Sequence, residues 1–108
     1  MCGDNQIKQL DFLPCELKYL DCSRNYKLYN LDNLPNSLIY FICMDCQITK
    51  CDNLPKKILF VSLYRNNLED INNLPPNLNK LDLCRNIINK KKIKKISKTN
   101  PKIEIIFE

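Results

Sequence analysis

Apolar and polar positions alternate along this chain in a motif that returns at an almost constant interval. A Leu-Pro dipeptide opens each copy, and a Leu or Ile follows the proline three residues later. From there the pattern L-x-x-L-x-L-x-x-N/C-x-L continues, with one extra residue before the last position of the first copy. The dipeptides are spaced 21, 20 and 20 residues apart and begin at Leu13, Leu34, Leu54 and Leu74. A motif repeated in phase indicates stacked units that share one continuous core.

The x-L-x centre of each copy has the inward and outward alternation of a short strand. Each copy is too short to leave much room for a helix on the opposite side. The Leu-Pro segments should run extended there, because proline fixes its own φ and disfavours helix in the residue before it. The predicted parallel strands lie near residues 18–22, 39–43, 59–63, 79–83 and 103–107. Their central side chains should form one buried column of Leu20, Phe41, Val61 and Leu81.

One polar position of each copy is predicted to be buried. Three copies have asparagine there and one has cysteine, in the order Asn25, Cys46, Asn66 and Asn86. A buried side-chain amide can bond the backbone of its own bend and of the adjacent turn. The neighbouring Asn67 and Asn89 are expected to face solvent and to be replaceable at little cost in stability.

The two ends of the repeat array differ. Lys90–Ser97 carries Ile93 and Ile96 at helical spacing among lysines, which predicts a short amphipathic helix that closes the core. The last strand is expected to turn Ile103 and Ile106 inward, with Ile105 and Phe107 outward. Residues 2–12 fit half a copy and show no cap. Either a partner covers that end, or the chain is related to a longer repeat protein.

On these motifs the chain resembles the leucine-rich repeat family over residues 2–88. The 20-residue Leu-Pro-x-x-Leu type is similar to the short repeats of bacterial effectors, and the Lys/Asn/Ile bias is similar to small repeat proteins of large amoeba-infecting DNA viruses. The resemblance implies an α/β-type solenoid with a parallel sheet on its concave face and an irregular convex side. We expect a single domain over residues 1–108, with a half repeat, four full repeats and a C-terminal cap at 2–12, 13–33, 34–53, 54–73, 74–89 and 90–108.

Composition removes several chemistries. The chain has no histidine, the usual general base and metal ligand, and its one glycine excludes glycine-rich phosphate loops. With 108 residues it has no room for a separate catalytic domain. We therefore expect neither an enzyme nor a cofactor, and no small-molecule substrate. No apolar run could span a bilayer and no secretory signal opens the chain, so no membrane contact and a cytoplasmic location are expected.

The excess positive charge of +5 lies entirely in the tail. Basic and acidic residues cancel over residues 1–89, while residues 90–108 hold seven lysines and two glutamates. The tract Lys90–Lys95 could act in nuclear import, and residues 90–98 could contact nucleic acid. The interpretation we favour is the solvated face of the capping helix, because a charge run on an amphipathic segment usually lies on its wet side.

Seven cysteines include a CxxC motif, Cys43-Met44-Asp45-Cys46. In the register of the repeats Cys43 takes a core leucine position and Cys46 the asparagine position. Three other cysteines also fall in core columns, namely Cys2, Cys22 and Cys51. The motif therefore predicts packing rather than metal or redox chemistry. Exposure is expected only for Cys15 and Cys84.

The resemblance implies that a ligand contacts the outward side chains of the strands. Aromatic residues, Met and Arg, the types enriched at protein interfaces, cluster in these positions. The alternative is a purely structural ladder of stacked aromatic rings. We predict a protein partner rather than nucleic acid, bound by Tyr19, Arg24, Tyr40, Ile42, Met44, Phe60, Tyr64, Arg65 and Arg85.

Overall fold

The computed structural model describes residues 13–29 and 31–107, so the half repeat predicted at 2–12 lies outside the described residues. Five short parallel strands form one sheet in chain order, and a ten-residue helix precedes the last strand. The elements are β1 (Tyr19–Asp21), β2 (Tyr40–Ile42), β3 (Phe60–Ser62), β4 (Lys80–Asp82), α1 (Lys90–Thr99) and β5 (Glu104–Ile106). Each strand lies inside its predicted window, which confirms the solenoid.

The first four strands pair in one unbroken register. Leu20 lies opposite Phe41, Phe41 opposite Val61, and Val61 opposite Leu81. All four side chains are buried, so the predicted central column is confirmed. The residues two places further on form a second buried column, Cys22, Cys43, Leu63 and Leu83. Burial of every second residue leaves the other face of the strands for contact with solvent or a partner.

Asparagine side chains connect the third and fourth turns to the turn before each of them. Asn66 donates its amide to the carbonyl of Cys43 in the preceding turn at 2.7 Å and to that of Leu63 in its own bend at 3.1 Å. Its Oδ1 accepts the backbone N–H of Ile48 at 3.0 Å. Asn86 repeats these contacts one turn later, with its amide 2.8 Å from the carbonyl of Leu63. The predicted role of the buried asparagines is confirmed.

The residue before each of these positions has a left-handed backbone. The φ angles are 58° at Arg24, 55° at Asp45, 56° at Arg65 and 61° at Arg85. This conformation turns the chain out of the strand and costs roughly 1 kcal/mol for residues with a side chain. The N–H of Asp45 donates to the carbonyl of Tyr64 at 3.0 Å, so a bond to the next turn holds the bend.

Helix α1 closes the C-terminal end of the core. Ile93 is buried and Ile96 packs against the core, as the amphipathic pattern predicts. The first turn contains no acidic residue and consists of lysines, which the helix dipole disfavours. Packing of the two isoleucines and an N-cap therefore stabilise the helix. No helix among residues 13–29 and 31–107 is long and apolar enough to cross a membrane.

Strand β5 pairs one residue away from the predicted register. Ile105 lies opposite Leu81 in the inward column and Ile106 lies opposite Asp82, so the prediction that Ile106 points inward and Ile105 outward is wrong. The segment is almost wholly apolar, so alternation could not select a face. The end of α1 sets the register instead, through a turn in which the N–H of Ile103 donates to the carbonyl of Asn100 at 3.1 Å.

Asn89 has a structural role that argues against the prediction that it is replaceable. The side chain is exposed as expected, yet Asn89 is the N-cap of α1, and its Oδ1 accepts the N–H of Lys92 at 2.9 Å. The sequence pattern that suggested a solvent position could not distinguish a loop residue from a cap.

Replacement of Asn66 by alanine should destabilise the fold by about 1–3 kcal/mol, because two carbonyls and one N–H lose a buried partner. Asn67→Ala is the matched control, since Asn67 is exposed and its amide only reaches the exposed Gln47, at 2.6 Å. That variant should stay within about 0.5 kcal/mol of the parent. Urea denaturation of both variants measures the difference, and equal losses would contradict the asparagine ladder.

Replacement of Asn89 by alanine should cost about 0.5–2 kcal/mol, because the cap of α1 is lost. Asn89→Asp should retain the stability, since aspartate caps equally well and its charge suits the helix N-terminus. Thermal unfolding of the two variants tests this. A loss in the aspartate variant as large as in the alanine variant would mean that the cap hydrogen bond does not matter.

Candidate binding surface

Three aromatic rings from adjacent strands follow one another across the outward face of the sheet. The ring centroids of Tyr19 and Tyr40 are 6.5 Å apart and those of Tyr40 and Phe60 are 6.3 Å apart, with planes tilted by 42° in both pairs. Tyr19 is 48% exposed and Tyr40 is 47% exposed, while Phe60 is half-buried. This aromatic ladder is therefore both a structural stack and an open apolar surface.

The ladder ends on a charged pair. Lys80 takes the next position of the same column, and its Nζ lies 3.5 Å from a carboxylate oxygen of Glu104 in β5. Both side chains are largely exposed, so this ion pair adds little to stability. It gives the aromatic ladder a polar boundary on the C-terminal side.

The second outward column holds Asp21, Ile42, Ser62 and Asp82, and both of its carboxylates bond the backbone. Asp21 and Asp82 each accept the N–H two residues ahead, of Ser23 and Cys84, at 3.0 Å. Ile42 is half-buried and lies opposite Asp21. The two carboxylates therefore hold the bends after β1 and β4, and of this column Ile42 is the apolar member that extends the aromatic surface.

The third column holds Ser23, Met44, Tyr64 and Cys84, of which Met44 and Tyr64 are predicted binding residues. Met44 and Tyr64 are half-buried. Ser23 is buried, and its Oγ accepts the N–H of Met44 at 3.0 Å. Cys84 is buried, so its predicted exposure is wrong. Cys84 lies in the bend after β4, where its N–H donates to Asp82, and the alternation of a strand does not predict burial in a bend.

The fourth and last column holds Arg24, Asp45, Arg65 and Arg85, so three of its four residues are arginines. Arg24, Arg65 and Arg85 are exposed, as predicted, and stand at the left-handed bends described above. Arg65 Nε lies 3.1 Å from Oδ1 of Asp45, which fills the remaining place. The pair is solvent-exposed on the arginine side and is worth little for folding. Its effect is to orient Arg65 beside the aromatic surface.

The repeat pattern did not identify one exposed aromatic residue close to this column. Tyr26 is 60% exposed and lines an open groove of about 300 Å³ together with Arg65, Arg85 and Cys46. It is part of the bend in the first repeat, which contains the extra residue. Tyr26 follows Asn25 at a variable position of the repeat motif, so the pattern assigns it no role.

Most described cysteines are packed in the core, as predicted. Cys22, Cys43, Cys46 and Cys51 are buried, Cys15 is exposed, and all are free thiols, whereas Cys2 lies outside the described residues. Within residues 13–29 and 31–107, no group of three or more metal-binding side chains is placed to hold an ion. Burial raises the pKa of Cys51 from its ordinary value to about 12.

The basic tail forms the outer face of α1. All six lysines of the helix are exposed, while Ile93 and Ile96 face the core. Lys92 is held against the repeats by Asp70, at 3.8 Å, and by the carbonyl of Glu69, at 3.3 Å. The lysines therefore lie on the solvent-exposed face of the capping helix, which is a different element from the strands of the aromatic ladder.

Comparison with known proteins supports the fold. No family model and no curated protein matches the sequence. Among solved structures, the chain is similar to the leucine-rich repeat domain of a Shigella effector, with a TM-score of 0.63 and 19% identity. The match covers 97% of this chain and 60% of the effector domain, so the chain spans little more than half of that domain. The chain thus has a leucine-rich repeat fold.

Burial should make Cys51 slow to alkylate. The rise of its pKa from 9.0 to about 12 lowers the thiolate fraction at pH 8 roughly a thousandfold, and only the thiolate reacts. Iodoacetamide at pH 8 should therefore label exposed Cys15 in the folded protein and leave Cys51 free until urea is added. Peptide mass spectrometry measures both sites, and comparable labelling of the two in the folded state would contradict their placement.

Proposed function

We propose that this protein is a non-enzymatic binding module that holds a protein partner against the concave face of its sheet. Leucine-rich repeat folds generally mediate protein–protein interaction. The observation that supports a site on this face is the aromatic ladder, in which Tyr19 and Tyr40 remain about half exposed. Large apolar side chains exposed as a group on a folded surface usually mark a contact.

The rigidity of the ladder favours binding. Each ring is held by its neighbours and by strands in fixed register, so little side-chain freedom remains to be lost when a partner binds. Met44, Tyr64 and Ile42 extend the apolar area, and Arg65 lies at its margin, oriented by Asp45. An apolar centre with a charged rim is the usual composition of a protein interface.

Two carboxylates of this face already bond the backbone, which disfavours a catalytic role for them. Asp21 and Asp82 accept backbone N–H groups in their own bends, so their carboxylates are committed to the fold. The chain supplies no histidine to take the place of a base. We therefore propose neither a cofactor nor a small-molecule substrate.

Site-specific crosslinking in cells that make the protein tests the location of the site. A photo-crosslinking phenylalanine derivative at Tyr40 should trap a defined partner. The same residue at Tyr29, which is 52% exposed but outside the strand face, is the matched control and should not trap it. A partner captured equally well from both positions, or only from Tyr29, would refute a concave-face site.

Once the partner is in hand, Tyr40→Ala and Phe60→Ala should each weaken its binding by about 2 kcal/mol or more, as central aromatic anchors do. Arg65→Ala should weaken it next most. Calorimetric titration measures the affinities. Phe41→Ala is the structural control, because this buried side chain should cost about 3–5 kcal/mol of folding stability, far more than Tyr40→Ala.

Neutralisation of the tail separates this proposal from nucleic-acid binding. Changing Lys91, Lys92, Lys94 and Lys95 to glutamine should leave the affinity for the protein partner nearly intact, and the affinity should fall little with salt. Loss of affinity through the lysines, a steep salt dependence and indifference to Tyr40→Ala would instead assign the function to residues 90–98.

A further inference from the structure

Two thiols that the proposed binding surface does not use are in contact beneath it. The Sγ atoms of Cys43 and Cys46 are 3.2 Å apart, and both cysteines are free. Cys43 is fully buried, while Cys46 is 5% exposed. The segment between them carries Met44 and Asp45, which belong to the concave surface.

The repeat geometry brings these two positions together in every turn. Asn66 donates to the carbonyl of Leu63, three residues earlier, and Asn25 does the same to Cys22 at 2.7 Å. The left-handed residue between the two positions reverses the chain, and in the second repeat this residue is Asp45. Among the described repeats, the second therefore carries sulfur at both ends of this contact.

The two thiols differ in acidity, and disulfide exchange needs one thiol that ionises readily to attack first. A hydrogen bond with Cys43 lowers the pKa of Cys46. Hydrogen bonds with Cys22 and Cys46, together with burial, raise the pKa of Cys43. Cys46 is thus the better thiolate, and thiolates are the nucleophiles of disulfide exchange.

Cys46 is also the member of the pair that a reagent can reach. It lines the open groove of about 300 Å³ described above, and Arg65 and Arg85 line the same groove. Asp45, which pairs with Arg65, also lines the groove, so two arginines against one aspartate leave an excess of positive charge that favours an anionic reagent over a cationic one. A disulfide that carries carboxylates complements this charge.

We propose that Cys43 and Cys46 are a modification site, at which a small acidic disulfide such as oxidised glutathione forms an intramolecular disulfide. The Cys46 thiolate attacks one sulfur of the reagent and releases one glutathione thiolate, which leaves a mixed disulfide on Cys46. Cys43 attacks the Cys46 sulfur and its proton passes to the departing sulfur, which releases the second glutathione as the thiol. The protein loses two protons and two electrons, and the reagent is reduced to two glutathione molecules.

The fold accommodates the oxidised form. The Cys46 thiol lies 3.3 Å from the carbonyl of Cys22, and this contact is lost on oxidation. The same carbonyl keeps the Asn25 amide at 2.7 Å, so no buried acceptor is left without a partner. The cross-link closes the bend that contains Met44 and Asp45 and fixes its backbone.

Peptide mass spectrometry of the whole folded chain tests this site. The protein is incubated with oxidised glutathione, quenched in acid, alkylated with iodoacetamide after unfolding, and digested with trypsin. The tryptic peptide 28–50 contains Cys43 and Cys46 as its only cysteines, whereas Cys22 lies in peptide 19–24. Peptide 28–50 should lose two hydrogen atoms and stay unalkylated, while the peptide that carries Cys51 is alkylated in full.

Two variants that install the residues of other repeats serve as controls with the fold preserved. Cys43→Leu and Cys46→Asn should each abolish the loss of two hydrogens, and Cys22→Ala should leave it unchanged. An intact dithiol in peptide 28–50, a cross-link between peptides 19–24 and 28–50, or only a stable glutathione adduct on Cys46 would overturn the proposal. The experiment involves no protein partner, so its outcome is independent of the proposed function.

Discussion

The side-chain amide that spans two turns is the interaction on which the arrangement of this solenoid depends. Each strand is three residues long, so strand pairing alone satisfies few of the backbone groups that lie in the core. The bends that follow would bury carbonyls without partners, which costs roughly 1–3 kcal/mol for each group. Asn66 satisfies a carbonyl and an N–H in the preceding turn and a carbonyl in its own turn, and thereby fixes one turn relative to the next.

The properties of the concave face follow from that stacking. Because the strands are held in register, equivalent positions of successive repeats lie side by side, and aromatic residues at one position become a ladder. Arg24, Arg65 and Arg85 are the left-handed residues that precede the asparagine positions, and they follow one another along one border of the sheet. A surface built in this way is arranged before any partner arrives, which reduces the entropy lost on binding.

The second repeat has cysteine instead of asparagine at the position that links one turn to the next. Cys46 donates to the carbonyl of Cys22 from the place of an asparagine, yet a thiol offers no strong acceptor for an N–H of the neighbouring turn. The substitution weakens the link between the first two turns and puts a second sulfur against Cys43. The proposed disulfide would cross-link the bend within the second repeat, whereas the contact of Cys46 with the first turn would be lost.

The sequence by itself determined the repeat, the five strands, the buried column through Phe41 and the asparagine ladder. These features depend on residue types that recur at a fixed spacing, and each occurrence supports the others. The outward position of Tyr19, Tyr40 and Phe60 followed from the same alternation. The identity of a partner did not follow, because it depends on the shape of a second molecule.

Tertiary structure decided the features that occur only once. The register of β5 depends on where α1 ends, since a segment as apolar as Ile103 to Phe107 gives alternation no preference. The cap at Asn89, the burial of Cys84 and the contact between Cys43 and Cys46 depend on how the chain turns after a strand. Periodicity specifies what every turn shares, whereas bends and ends are fixed by contacts that have no counterpart elsewhere in the chain.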